Sequence, residues 1–284
     1  MFFRIYLHNL IMNDSFDNPK IGRRYNMFYE GGVRCNSMLK YSDKIPLVSI
    51  ITVVFNDVLH IEDTIKSVLS QKFERFEYII VDGGSSDGTL DVIKRYENDI
   101  EYWISEKDKG IYDAMNKGIG MVSGEWINFM NSGDSFYNTT VLKDLFNNHK
   151  HYDVDVLFGN HQVIYPNKTK LVKAGEVTNL WKGSQFCHQS CFIKSSVHKE
   201  NKYNSLNRIG ADFEFFYNAY KNNKNIIYKD IVISSISVGG LSDIKRVDSI
   251  VGWWNLVEKN PKVNFYYIIR VLIEMIKLYI NKII

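Results

Sequence analysis

The sequence predicts an α/β protein, built on a doubly wound, mostly parallel sheet and followed by a C-terminal helical tail. Three observations predict it. Residues Leu47 to Phe55 form a β-branched run too continuously apolar for a half-exposed strand, as a parallel strand covered on both faces requires. Behind it Ile61, Ile65, Val68 and Leu69 recur at i, i+4, i+7 and i+8, the stripe of a helix lying on a sheet. That pairing of strand and helix then repeats, and alternating units of this length call for right-handed crossovers.

The elements follow in order. Residues 1–45 lack sustained periodicity and carry turn formers such as Gly31-Gly32, so they read as an irregular N-terminal extension. The first strand stops at Asn56-Asp57. A second strand, Glu77 to Val81, runs into Asp82-Gly83-Gly84-Ser85-Ser86-Asp87-Gly88, and a helix follows from Thr89 to about Tyr96. Ile100 to Ile104 is a third strand, Tyr112 to Val122 a helix, and Glu125 to Met130 a fourth strand ending in Asn131-Ser132-Gly133-Asp134. Short strand-like runs at 154–158, 162–165 and 191–194 precede an aromatic helix at 212–220 and another strand near 226–233. From Arg246 the chain reads as helical to its end, broken around Asn260-Pro261. The expected division is an extension (1–45), one main domain (46–244) and an amphipathic tail (245–284).

Composition narrows the function. The chain has 284 residues, 45% hydrophobic and 24% charged, enough for a real core. Its net charge of +3 is too small for a nucleic-acid binder, so no nucleic-acid partner is expected. The excess has an address: from Lys262 onward Lys262, Arg270, Lys277 and Lys282 face one acid, Glu274. Three cysteines without framework spacing, and an N-terminus interrupted by Arg4 and His8, favour a cytoplasmic setting. Cys187-His188-x-x-Cys191 is half a zinc pattern with no second pair at ligand spacing.

In an open α/β sheet the ligand sits beyond the carboxyl ends of the strands. Here those ends carry Asn56, Asp57, Asp82 and Asp134. Neither a Gly-x-Gly-x-x-Gly turn nor a Gly-x4-Gly-Lys-Ser/Thr loop is present, which argues against nicotinamide enzymes and P-loop ATPases. A carboxylate at such a place binds a phosphate only through a divalent cation, and hard Mg²⁺ or Mn²⁺ takes one or two carboxylates plus phosphate oxygens. The pattern suggests a nucleoside diphosphate held through a metal.

Four blocks carry a resemblance. Val48 to Asn56, Val81 to Thr89, Asp108-Lys109-Gly110-Ile111-Tyr112-Asp113-Ala114-Met115-Asn116-Lys117-Gly118, and Gly124 to Asp134 resemble, in order and spacing, the blocks of family-two glycosyltransferases over roughly residues 47–240. The resemblance implies the nucleotide-diphospho-sugar transferase (GT-A) fold and an inverting, metal-dependent transfer from a nucleotide-sugar donor, UDP-linked as the first expectation. It also implies a role in capsule, lipopolysaccharide or exopolysaccharide assembly on a glycan or lipid-linked acceptor. Carried over, Thr52, Val53, Phe55, Asn56, Asp82, Asn116 and Ser132 would line the donor site, with Asp134 as the metal ligand, together with Mn²⁺ or Mg²⁺. Gly83 stands where many members have a second Asp that contacts the base, and Asn131 and Gly133 replace acids frequent in the metal block.

Inverting transfer needs a carboxylate to take the acceptor proton. In the family an acid before an aromatic helix holds this base, and Asp212 matches it; Glu214, two residues on, points about 200° away on a helix. Asp212 also suits the cap of that helix. His188 and Gln189 are candidates near the diphosphate or acceptor, and Trp181, in a loop-like stretch, for stacking on an acceptor sugar. The rival reading is a non-catalytic sugar- or nucleotide-binding module of the same fold.

In the tail, Arg270, Glu274, Lys277 and Asn281 recur at i, i+4, i+7 and i+11 as a polar stripe on an otherwise apolar helix. Spanning a bilayer fails, because three central charges at about +2.5 to +3.5 kcal/mol each outweigh the apolar residues. The expectation is a helix on an anionic membrane surface with its stripe toward water, ahead of one packed on the domain or on a partner subunit, as in a homodimer.

Overall fold

The computed structural model describes residues 28–35, 45–147, 151–240 and 244–283. Most of the expected N-terminal extension, and the side chains of Asn281 and Lys282 in the tail, lie outside the described residues.

Among the described residues ten strands form one sheet: β1 (Tyr29–Gly31), β2 (Val48–Val54), β3 (Phe76–Asp82), β4 (Tyr102–Ser105), β5 (Trp126–Phe129), β6 (Ser135–Phe136), β7 (Val156–Tyr165), β8 (Lys168–Val172), β9 (Cys191–Lys194) and β10 (Ile226–Ser237). The helices are α1 (Ile61–Leu69), α2 (Thr89–Arg95), α3 (Ile111–Ile119), α4 (Val141–Phe146), α5 (Ser195–Glu200), α6 (Ala211–Lys221), α7 (Arg246–Leu256) and α8 (Pro261–Ile283). The strand order is β1-β4-β3-β2-β5-β9-β7-β10-β6, with β8 paired to β7. Strands β4, β3, β2 and β5 are mutually parallel, and β7 pairs parallel with β10, while β9 joins the two groups antiparallel to both.

The apolar run of β2 behaves as its composition demands. All seven residues are buried, and they alternate: Val48, Ile50 and Val54 enter the core under α1, α2 and α4, whereas Ile51 and Val53 enter the opposite core with α3, α6 and α7. Helix α3 can approach closely because it carries Gly118, where a Cβ would stand 2.7 Å from Cγ2 of Ile51. The chain order β2, β3, β4 runs outward on one side and β5 returns on the other side of β2. The switch point therefore lies between β2 and β5, whose carboxyl ends carry Phe55-Asn56-Asp57 and Asn131 to Asp134.

Three expectations are corrected. Residues 29–31, read as part of an irregular extension, add an antiparallel edge strand to β4. Arg34 beyond them donates to Glu77 and to the carbonyl of Met121 (2.7 Å). Glu77 is buried and also accepts from Ser49, from Ser123 and from the amide of Gly124, so the segment straps a buried charge. The runs at 154–158 and 162–165 are one strand, β7, carried across Gly159, where a Cβ would meet the carbonyl oxygen of Ile231 at 2.6 Å.

The third correction concerns the tail. Its first part belongs to the core: Ile250, Trp253, Val263 and Tyr267 are buried in the same cluster as α3 and α6. The stripe expected to face water starts against the domain, because Arg270 donates to the carbonyl of Lys182 and its guanidinium lies 5.1 Å from the Trp253 ring. The opposite side, with Phe265, Ile268, Leu272, Ile276 and Ile280, is exposed, Phe265 at 66%. Among the described residues no helix is long and apolar enough to cross a membrane.

Removing a partner from a buried carboxylate costs more than a surface ion pair is worth. Arg34→Ala is expected to lower the free energy of unfolding by about 1–3 kcal/mol, read from urea denaturation. A loss under about 0.5 kcal/mol, within the range of an ordinary surface change, would show that the strap is dispensable.

Candidate active site

Two carboxylates from distant parts of the chain meet one dipeptide. The strand β5 ends at Phe129, and a turn closed by the Asp134 amide donating to the Asn131 carbonyl (3.0 Å) turns Asp134 back over the sheet. Asp134 Oδ2 accepts from Nε2 of Gln189 at 2.6 Å, and Oδ1 accepts from the amide of Ser237 at 3.2 Å. Asp212, in the first turn of α6, stands on the other side: His188 Nδ1 is 3.4 Å from its Oδ2, and the Tyr112 hydroxyl donates to its Oδ1 at 2.9 Å. His188 and Gln189 sit in a single helical turn, 188–190, that buried Asn128 of β5 holds by donating to the carbonyls of Gln189 (3.0 Å) and Cys191 (2.8 Å).

The electrostatics divide the two acids. Burial pushes the Asp134 carboxyl up to about 6, against the donors Gln189 and Ser237 and the nearby His188, and Asp57 pushes the same way as burial. For Asp212, burial also acts to raise the value, but His188, the Phe213 amide and Tyr112 outweigh it and hold the carboxyl below its ordinary range. Asp212 is thus an ionised acceptor. Tyr112, pushed well above the usual phenol range by burial and by Asp212, stays a donor.

The surrounding hydrogen bonds set the orientations. Burial raises the Cys187 thiol far above its normal value, so it donates to Gln189 Oε1 and leaves the amide nitrogen for Asp134. Nδ2 of Asn131 donates to Nε2 of His188 at 3.0 Å, which puts the ring proton on Nδ1, toward Asp212. Ser132 Oγ donates to Asp57 Oδ2 at 2.7 Å, and Asp57 is bonded to His60.

A divalent cation fits these residues in one way. Among the described residues no three His, Cys, Asp or Glu converge on a point. Yet Asp134 is a half-buried acid with no basic side chain bonded to it among the described residues, and Oδ1 of Asn131, in the same turn, is buried with no hydrogen-bond partner among them. Such a donor set suits Mn²⁺ or Mg²⁺ only if diphosphate oxygens complete the shell.

The remaining expected residues spread around this centre. Phe55 is 61% exposed at the end of β2, and Asn56, at φ +49°, accepts from the Ser86 amide at 2.9 Å. Val53 is buried under α3, and Thr52 is buried with its hydroxyl bonded to Tyr78 (2.8 Å) and the Met130 carbonyl (2.7 Å), so neither presents its side chain to a crevice. Asp82 is fully buried and accepts from the Ser85 amide, the Ser85 hydroxyl and the Ser105 hydroxyl; it shapes the turn. Asn116 uses both ends of its amide on the Tyr203 backbone, at 2.8 and 2.9 Å. Trp181 is not brought to the centre: it packs on Tyr266 of α8, between Lys182 and Lys262. Sequence reasoning missed Tyr112, although it lies in the third motif block, because its partner is a hundred residues away.

The comparisons bear on the family and on the fold. The model of glycosyl transferase family 2 matches residues 49–222. An uncharacterized glycosyltransferase of Mycobacterium tuberculosis is 43% identical over 98 residues, which cover 34% of this chain and 37% of that protein. The chain thus spans little more than a third of that relative's length. A PGL/p-HBAD biosynthesis glycosyltransferase of Mycobacterium bovis is 27% identical over 205 residues, covering 70% of this chain and 80% of that protein. Among solved structures, S. aureus TarS in complex with UDP-GlcNAc superposes with a TM-score of 0.59 at 18% identity, over 78% of this chain and 70% of that one. The mannosyltransferase of Pyrobaculum calidifontis, in complex with GDP-Man and Mn²⁺, gives 0.59 at 17% identity, over 82% and 72%. At those identities the likeness is one of fold.

With His188→Ala, burial of Asp212 loses its main counterweight. The acidic limb of the pH–rate profile should move to higher pH, because a carboxyl no longer held down takes up its proton earlier as the pH falls. A limb that stays in place would show that His188 does not set the charge on Asp212.

Proposed function

We propose, from the premise that the chain belongs to glycosyl transferase family 2, that it transfers a sugar with inversion from a nucleoside-diphosphate donor, UDP-linked in the first instance, to a hydroxyl of a glycan or lipid-linked acceptor. The observation that carries the reading is the pair of half-buried acids on either side of His188-Gln189, one held ionised and one pushed up. A binding module of the same fold needs no ionised acid opposite its diphosphate site, so Asp212 favours the enzyme.

Asp212 is the base. It takes the proton of the acceptor hydroxyl as that oxygen bonds to the anomeric carbon and the bond from that carbon to the diphosphate breaks, with the electron pair leaving on phosphate. Tyr112 and His188 fix both carboxylate oxygens and, with the Phe213 amide, leave acceptor capacity for the incoming proton. Asp134, with Asn131 beside it, would hold Mn²⁺ or Mg²⁺ against the diphosphate, where the cation would neutralise charge on the leaving group. Gln189 keeps Asp134 in place. Ser132 and Phe55 border the same crevice from β5 and β2. The pathway we favour is assembly of a surface polysaccharide or glycolipid.

The test is release of nucleoside diphosphate from a panel of UDP-sugars with Mn²⁺. Asp212→Asn should retain donor binding while losing at least about 10²-fold in rate, the lower end of what a general base contributes. Asp134→Ala should weaken metal and donor binding together, and EDTA should stop turnover. A variant Asp212→Asn with more than a tenth of the wild-type rate would overturn the base, and turnover unchanged by EDTA would overturn the metal.

The tail completes the reading. Its exposed apolar side and its excess of basic residues fit an anionic lipid surface, with the helix lying in the interface and the packed side toward the domain. Leu272→Gln with Ile276→Gln alters only the outward side. The wild type is expected to float with phosphatidylglycerol-rich vesicles at low salt and the double variant to stay behind at an unchanged melting temperature. Equal flotation of the two would sink the membrane reading.

A further inference from the structure

Gly83 follows the last residue of β3 and offers no side chain at the mouth of the crevice. A carboxylate from elsewhere in the chain takes the space. A Cβ built on Gly83 would collide with Oδ2 of Asp108 and stand 3.2 Å from Cδ2 of Phe55. Asp108 lies in the loop between β4 and α3, where the Gly110 amide donates to its Oδ1 at 2.8 Å. That bond pins the carboxylate. Oδ2 has no partner among the described residues, and no lysine or arginine is paired with it.

Phe55 gives the place a second property. Its ring is exposed at the end of β2, so an apolar face and a fixed carboxylate edge adjoin where β2, β3 and β4 end. A flat heterocycle stacked on the Phe55 ring would turn its edge toward Oδ2. The contact then selects by hydrogen-bond polarity, because an ionised carboxylate only accepts.

We propose that Asp108 reads the base of the donor and selects uracil; this rests on the nucleotide-sugar reading given above. Uracil presents a single ring N–H, at N3. Cytosine and adenine place a bare ring nitrogen at the corresponding edge, whose lone pair opposes that of Oδ2; their donor is the exocyclic amine beside it, and for that amine to reach Oδ2 the ring must shift away from the place where uracil N3–H meets it. Guanine presents two adjacent N–H groups, which call for both oxygens of a carboxylate, and the Gly110 amide already engages one. One free oxygen matches one N–H. Gly83 is the permissive half of the arrangement, since any side chain there would evict the carboxylate.

The test is titration calorimetry of the full chain, with Mn²⁺ present, against UDP, CDP, GDP and ADP. The wild type should bind UDP at least about tenfold more tightly than CDP, the scale of one hydrogen bond to a charged group. Asp108→Asn keeps the size and the acceptor for Gly110 but turns an amide N–H₂ toward the base, so CDP should bind as well as UDP or better. Gly83→Ala should lose the UDP preference with Asp108 intact. Should that variant fail to fold, Asp108→Asn decides alone, its melting temperature being the check on folding. Equal binding of UDP and CDP by the wild type, tighter binding of GDP, or a tenfold UDP preference surviving Asp108→Asn would overturn the assignment to Asp108 while leaving the donor reading intact. Failure of all four nucleotides to bind would overturn both.

Discussion

Two half-buried acids beside one dipeptide, with no lysine or arginine bonded to either among the described residues, set the constraint that the rest of the structure answers. An isolated buried charge is costly, and folding tolerates it only where fixed dipoles replace water. Here the dipoles are supplied by a chain of neutral groups. Cys187 orients the Gln189 amide toward Asp134, and Asn131 orients the His188 ring toward Asp212. Asn128, fully buried in the middle of the sheet, exists at that position because its amide group fastens the turn that carries both. A polar residue in the centre of a core strand is otherwise an expense, and this one is explained by the site it supports.

The topology decides where those groups gather. Strands β2, β3 and β4 extend the sheet in one direction and β5 in the other, so the loops after β2 and β5 diverge and leave a crevice between them. Phe55 to Asp57 and Asn131 to Asp134 come from those two loops, and Ser132 and Asp57 are bonded across the gap. The second half of the chain adds its strands antiparallel through β9, and that reversal brings 188–190 beneath the crevice and lets the end of β10 supply the Ser237 amide. The parallel half thus makes the opening and the antiparallel half furnishes its floor.

What the sequence disclosed follows the same division. The strands β2, β3 and β5 and the helices α1 to α3 were legible because each has a long apolar pattern that two-sided burial enforces. β1, β6 and β8 have two to five residues, with exposed or half-exposed faces, and their existence depends on a neighbour's hydrogen bonds rather than on their own composition. Asp134 and Asp212 could be singled out as carboxylates in an ordered set of blocks. Tyr112, Ser237 and Cys187 could not, since each acts through a partner 2 to 103 residues away that only the folded chain identifies. Asn116 shows the converse: its motif suggested a ligand contact, but both ends of its amide serve the Tyr203 backbone.

The carboxylates of the chain sort themselves by how many donors they already hold. An ionised carboxyl has about four acceptor positions. Glu77 fills them with Arg34, Ser49, Ser123 and Gly124, and it is a structural anchor. Asp82 takes three donors, all from Ser85 and Ser105, and it too is spent on the fold despite standing at a strand end where a ligand contact was expected. Asp134 accepts one donor on each oxygen, and Asp108 accepts a single one. Position at the end of a strand is therefore a weak guide to function in this sheet. Unfilled acceptor capacity on a carboxylate held rigidly by its neighbours is the stronger one, because the fold has fixed the group without using all of it, and what remains is available to a proton, a cation or a base.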